Sequence, residues 1–292
     1  MRVSRVSVSC ALAVLVLAGC RRNTESQPAV ATPSVKINHA KAALGSPIDV
    51  TYRFDVAKDA RFDQNYTVMV HFVDTDDELM WTDDHRPPVP TSQWKAGQTV
   101  EYTRTIFVPV YPYLGEAAIQ LGLYSSKDSR RLTLAGQDSG QRAYKVGTLQ
   151  LLPQNDNVFL IYKEGWHPAE VAPDNSMVEW QWTKGSATIT FRNPKRESTF
   201  YLHADNPGTA FTEPQSVELL LNGQPLDRFT LAPRQEHIQR TTLPAGQLAS
   251  ADMAELRIQV DKTYVPALLP AAHSRDPREL GIRVFHAFVE PH

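Results

Sequence analysis

Cysteine is almost absent. Of 292 residues only Cys10 and Cys20 carry a thiol, and none lies beyond residue 20. A disulfide framework is thereby excluded for everything downstream, and stability has to come from burial. An excess of positive charge is also missing. Lys and Arg total 30 against 32 Asp and Glu, a formal net charge of −2 with no basic stripe. That excludes the electrostatic footprint of a nucleic-acid binder. Strong catalytic signatures are lacking too: there is no G-x-S-x-G elbow, no Walker loop, no dinucleotide fingerprint and no H-E-x-x-H. His71, His85, His167, His203, His237, His273 and His286 are dispersed, with no metal-binding spacing. The two halves share no sequence period, so an internal repeat is not expected. What remains, 42% hydrophobic and 21% charged residues, fits a globular chain.

The N-terminus carries its own pattern. Arg2 and Arg5 precede a mostly apolar stretch at residues 6–17. It is roughly a dozen residues long, short of the ~20 that span a bilayer as a helix. Small Ala18 and Gly19 then leave room for a peptidase before Cys20. The run Leu17-Ala18-Gly19-Cys20 resembles a bacterial lipobox. The resemblance implies removal of residues 1–19 as a signal peptide and acyl chains, palmitate among them, on Cys20. Several chains would anchor stably, because a single one gives only marginal membrane binding. An ordinary secretory signal and an uncleaved anchor stand as alternatives. In similar enterobacterial lipoproteins an Asp at the second position favours inner-membrane retention; Arg21 there favours the outer membrane. Residues 20–34 are polar, with Pro28 and Pro33, and read as a flexible tether.

From residue 35 to 153 the signal has period two. Ile48, Val50, Tyr52 and Phe54 alternate with Asp49, Thr51, Arg53 and Asp55. Tyr66, Val68, Val70 and Phe72 form a second such face, and Ala117, Ile119, Leu121 and Leu123 another. Val100, Tyr102, Ile106 and Val108 make one more, interrupted by Arg104. Alternation means one buried and one wet face. The expectation is an antiparallel immunoglobulin-like sandwich of about seven strands. A polar break at residues 153–157 marks a domain boundary. From 154 to 292 alternation resumes, with Asn222-Gly223 as a hairpin turn. Residues 282–289 are apolar on both faces, which predicts a central or bulged strand. The fold class is all-β: two tandem antiparallel β-sandwiches, the second jelly-roll-like.

The ending Asp276-Pro277-Arg278-Glu279-Leu280-Gly281 resembles β-sandwich modules attached to bacterial envelope glycosyltransferases. Those modules are regarded as carbohydrate-binding-like, and their catalytic partner domain is missing here. The whole chain is also similar to uncharacterised two-domain bacterial lipoproteins. Read from the residues alone, Arg278 ties a turn to a carboxylate and Gly281 permits a bulge or close backbone approach.

Two groups are candidates for binding. Trp180 and Trp182 share a face of one strand, and with Trp166 they suggest a sugar-stacking platform; core packing is the competing explanation. Trp81, Trp94 and Tyr111-Pro112-Tyr113 raise the same question. Asp74, Asp76 and Asp77 are hard oxygen ligands of the kind that holds calcium. Leu79 stands where an EF-hand loop requires glycine, and a charged hairpin turn explains the cluster as well. No other cofactor is expected. The reading is a non-catalytic binding or scaffolding module, lipid-anchored in the cell envelope, with an envelope or exported polysaccharide as partner. A protein–protein adaptor tethering a membrane complex is the alternative. A hydrolase is the third reading, since carboxylate pairs assemble in space and leave no spacing to read.

Overall fold

The computed structural model describes residues 27–248, 250–270 and 273–292. Cys20 and the signal segment lie outside the described residues. Strands in the first half are β1 (Ala31–Ile37), β2 (Lys41–Ala43), β3 (Pro47–Val56), β4 (Thr67–Val73), β5 (Leu79–Thr82), β6 (Thr99–Phe107), β7 (Gly115–Tyr124), β8 (Gln137–Asp138) and β9 (Tyr144–Leu152). They form one sheet in the order β1-β3-β6 and another in the order β2-β9-β7-β4-β5, with β8 paired to β9. Pairing is antiparallel except for β2 with β9. The expected seven strands become nine because β2 and β8, of three and two residues, are too short to show a period.

Alternation does what the sequence demands. On β3, Ile48, Val50, Tyr52 and Phe54 are buried while Arg53 and Asp55 are exposed. With Phe72, Ile119, Leu121, Leu123, Leu149 and Leu151 they make the first core. Each large apolar side chain there is worth about 1.5–3 kcal/mol over its exposed form. One boundary differs from expectation. β1 begins at Ala31, inside the segment read as tether, and pairs Ala31 with Val56 and Pro33 with Phe54. Pro33 is tolerated because β1 is an edge strand, where a missing N–H costs no ladder bond.

The second half contains β10 (Leu160–Tyr162), β11 (Glu170–Ala172), β12 (Asn175–Trp182), β13 (Ser186–Arg192), β14 (Ser198–Asn206), β15 (Gln215–Leu221), β16 (Gln224–Leu231), β17 (Gln235–Leu243), β18 (Met253–Val260) and β19 (Arg283–Pro291). Two five-stranded sheets result, β10-β13-β18-β15-β16 and β11-β12-β19-β14-β17. A separate core of Phe191, Phe200, Leu202, Leu219, Leu221, Leu256 and Ile258 lies between them. Asn222 and Gly223 sit at φ of 51° and 78°, as a tight turn between β15 and β16 requires. A short helix, α1 (Ala245–Leu248), closes one end. A 3₁₀ turn at Gln154–Asp156 separates the two strand systems. Among the described residues no helix is long and apolar enough to cross a membrane.

β19 is both central and bulged. It lies between β12 and β14, and its register with β14 shifts between His203 and Ala204, which leaves Phe285 without an opposite residue. A bulge re-aims side chains. Phe285 and His286 consequently both contact the His203 ring, at 4.9 and 5.6 Å between centroids.

Candidate functional site between the two sandwiches

Three edge strands converge where the sandwiches meet: β5 and β6 from the first, β17 from the second. On the outer face of the second sandwich, His203 pairs across the sheet with Ile238, Tyr201 with Arg240 and Asp205 with Glu236. Phe107, the last residue of β6, lies on this face. Its ring is 4.6 Å from His286, with planes 19° apart, and 6.1 Å from His203. Arg240 reaches across to Asp49 and Thr105. His39 Nε2 lies 3.7 Å from the Glu290 carboxylate across the same junction, so the interface combines ring stacking with ion pairing.

Beside that stack lies a hollow of about 510 Å³. Its lining is mixed: apolar Trp81, Ile106, Phe107 and Ile238 alternate with polar Asp83, Arg104, His203, Glu236 and His286, Ile238 lying opposite His203 on the sheet. Trp81 is held by a stack on Phe72, 4.3 Å away and 10° from parallel. Arg104, the residue that interrupts the apolar face of β6, grips Asp83 with two bonds of 3.1 and 2.9 Å. The Tyr52 hydroxyl donates to the same carboxylate at 2.8 Å. His85 Nδ1 donates to the Asp83 carbonyl at 2.6 Å, which leaves Nε2 to accept from the Tyr102 hydroxyl at 2.7 Å. The interruption thus supplies the partner of an Asp83 side chain only 12% exposed.

These contacts set the electrostatics. Burial alone would raise the Asp83 carboxyl; bonds from His85 and Arg104 outweigh it and hold the carboxyl below the usual carboxylate range. A bond from His203, 3.0 Å away, overcomes desolvation and lowers Glu236 as well. Desolvation by the surrounding protein and the neighbouring His203 push His286 down to about 4, although the residue keeps solvent-accessible surface. Tyr52 is raised, by burial and then by the Asp83 charge, and stays a donor.

A second hollow, of about 400 Å³, also borders His286. Pro109, Val110, Tyr162, Glu179, Trp180 and Phe285 line it with His286.

Trp166, Trp180 and Trp182 do not form one open platform. Trp180 and Trp182 share a face, but Arg283, fixed to Asp205 by bonds of 2.9 and 2.5 Å, lies 5.1 and 6.0 Å over their rings. Trp182 is 7% exposed and packs against Tyr264. The Trp166 backbone bridges Thr183 beside Trp182, but its side chain turns to the other sheet: the indole N–H donates to the Thr188 carbonyl and the ring meets Tyr162 edge-on. Of the three, Trp180 lines the second hollow. Trp94 is buried beside Phe54, and Tyr111 and Tyr113 pack on the first core. Asp74, Asp76 and Asp77 occupy the β4–β5 turn, where Asp74 Oδ1 accepts the N–H groups of Asp76 and Glu78, both at 2.9 Å. Among the described residues no three His, Cys, Asp or Glu side chains group to hold a metal.

Arg278 ties its turn as the residues suggest, pairing with Asp276 and, at 2.7 Å, with Glu170. The cleft residues Phe107, Glu236 and His286 gave no sequence signal of belonging together. They come from strands far apart in the chain and meet only when the sandwiches dock.

No family model matches the chain, and no curated protein does. Several solved structures align with it. A family GH115 4-O-methyl-α-glucuronidase aligns at 13% identity and TM-score 0.33, over 51% of this chain and 19% of that one. A family 35 carbohydrate-binding module from Clostridium thermocellum aligns at 11% identity and TM-score 0.26, over 45% of this chain and 97% of its own. The CBM22-1–CBM22-2 tandem of Paenibacillus barcinonensis Xyn10C aligns at 11% identity and TM-score 0.27, over 89% and 91%. Likeness at this level says nothing about ligand or activity, and the chain spans only about a fifth of the glucuronidase's length.

Proposed function

We propose that this chain is a lipid-anchored protein of the cell envelope that holds a polysaccharide between its two sandwiches without cleaving it. The observation that carries the reading is the mixed lining of the 510 Å³ hollow, apolar and aromatic side chains beside polar and charged ones. Sugars present apolar ring faces and hydroxyl edges. Trp81, Phe107 and Ile238 suit the first, and Asp83, Arg104 and Glu236 suit the second. Binding rather than hydrolysis is supported by the state of the carboxyls. Glycoside hydrolysis needs one carboxyl kept protonated as a general acid. Asp83 and Glu236 are both pushed towards ionisation.

Affinity electrophoresis of the detergent-solubilised full chain through gels containing soluble bacterial and plant glycans tests the reading. Retardation by at least one glycan, relieved by Trp81→Ala with folding intact, is expected. Free migration in every gel would sink it, and release of reducing ends would turn the reading towards hydrolysis. For the anchor, Cys20→Ala is expected to abolish acyl-chain labelling and free the protein from membranes. Unchanged retention would point to an uncleaved anchor.

A further inference from the structure

The two hollows are not independent. His286 lines both, and so does one continuous stretch of the first sandwich: Phe107 borders the first, Pro109 and Val110 the second. They share His286, whose ring stacks on Phe107 at the border of the first. Neither is enclosed. Each has aromatic surface, Trp81 in one and Trp180 with Phe285 and Tyr162 in the other. Each volume lies within the range that takes a small ligand. Carboxylates outnumber cations along the lining. Asp83, Glu236 and Glu179 stand against the guanidinium of Arg104, which is engaged with Asp83; Arg283, over the Trp180 and Phe285 rings, is engaged with Asp205.

Resting on the glycan-binding reading above, we infer that the ligand is an internal stretch of a glycan chain without anionic groups, threaded past His286 so that it occupies both hollows. A terminal sugar would fill one hollow and leave the second without a role. A chain bearing carboxylates or sulfates would meet three carboxylates with no free cation among the lining residues. Two linked hollows also make the second contact effectively intramolecular, so affinity climbs with chain length without any new kind of contact.

The test is calorimetric titration of the detergent-solubilised full chain with neutral oligosaccharides of two, four and six units. Probes are β-1,3-, β-1,4- and α-1,6-glucans, with oligogalacturonates of the same lengths as the anionic control. At least one neutral series is expected to bind, with the six-unit probe tenfold or more tighter than the two-unit one and the oligogalacturonates weaker than both. Trp180→Ala should bring the six-unit affinity down to that of the two-unit probe. Val110→Arg, at a position 66% exposed where folding is undisturbed, should do the same by blocking the second hollow. Trp81→Ala should weaken all lengths. Binding that needs Trp81 but ignores length, Trp180 and Val110 would overturn the threaded chain and leave the single-hollow reading standing. Tighter binding of oligogalacturonates would overturn the charge argument. Absence of binding by every probe would overturn both readings together.

Discussion

Phe107 of the first sandwich stacks on His286 of the second, 4.6 Å between ring centroids and 19° from parallel. An aromatic pair of this kind contributes about 0.5–1.5 kcal/mol beyond its buried area. Arg240 with Asp49 reinforces it, His39 lies 3.7 Å from Glu290 across the same junction, and such solvent-accessible pairs add about 0–1 kcal/mol each. Phe107→Ala is therefore expected to loosen the docking of two sandwiches whose cores stay intact. Small-angle scattering should show a larger radius of gyration, and calorimetry should resolve two unfolding transitions. An unchanged scattering profile would mean that other contacts hold the interface.

Acid should weaken the same interface. The His286 ring is pushed down to about 4 by burial and by His203, so between the ordinary histidine value of about 6.5 and about 4 the unfolded chain binds the proton and the folded chain does not. Stability contributed by this group is complete above about pH 6.5 and declines as pH falls towards 4. The residue keeps solvent-accessible surface, so screening keeps the decline modest. Thermal melts from pH 7.5 to 4 should show it, and His286→Phe, which keeps the stack without the titration, should flatten the slope. A slope that survives the substitution would assign the effect elsewhere.

Asp83 predicts a different window. Its carboxyl is held below the usual range by bonds that outweigh burial, so its stabilisation is present above pH ~4 and is lost only as pH falls through the lowered value. Asp83→Asn removes the ion pair to Arg104 and weakens the bond from Tyr52. A buried, charge-assisted bond is worth about 1.5–3 kcal/mol. The Arg104 side chain is 39% exposed and can be rescued by water, so a loss near 2 kcal/mol is expected. It should appear as a lower denaturant midpoint with an unchanged slope.

Strand faces were legible where alternation is long and clean, as on β3 from Ile48 to Phe54. Asn222-Gly223 was legible because positive φ is a property of those residues themselves. Arg104 could be noticed as a break in an apolar face, yet its meaning depends on Asp83, which lies on a different edge. Spacing along β12 says which face Trp180 and Trp182 share, but not that Arg283 of a neighbouring strand lies over both rings. The cleft was invisible for a related reason. A bulge at Phe285 and the docking of two separate cores decide which polar residues meet, and neither leaves a periodic trace.

Gly281 is the one position near the C-terminal motif where a single methyl group should be decisive. It has no positive φ; the constraint is space. A Cβ there would lie 2.5 Å from Thr183 Oγ1 and 2.6 Å from the Lys184 carbonyl oxygen. The threonine could rotate, but its hydroxyl accepts the Ile282 N–H at 3.1 Å, and the carbonyl belongs to backbone. Gly281 N–H also donates to the Thr183 carbonyl at 2.7 Å, so the chains cannot separate without breaking this contact. Overpacking of this kind costs about 1–3 kcal/mol. The strain falls where β19 begins beside β12, next to the Trp182–Arg283 pair. Gly281→Ala is thus expected to lower the melting temperature of the second sandwich and to raise hydrogen exchange at Trp182 and Arg283 while β3 and β7 stay protected. Exchange raised uniformly through both sandwiches would show that Gly281 acts on global stability, and an unchanged melt would show that the neighbouring backbone yields freely.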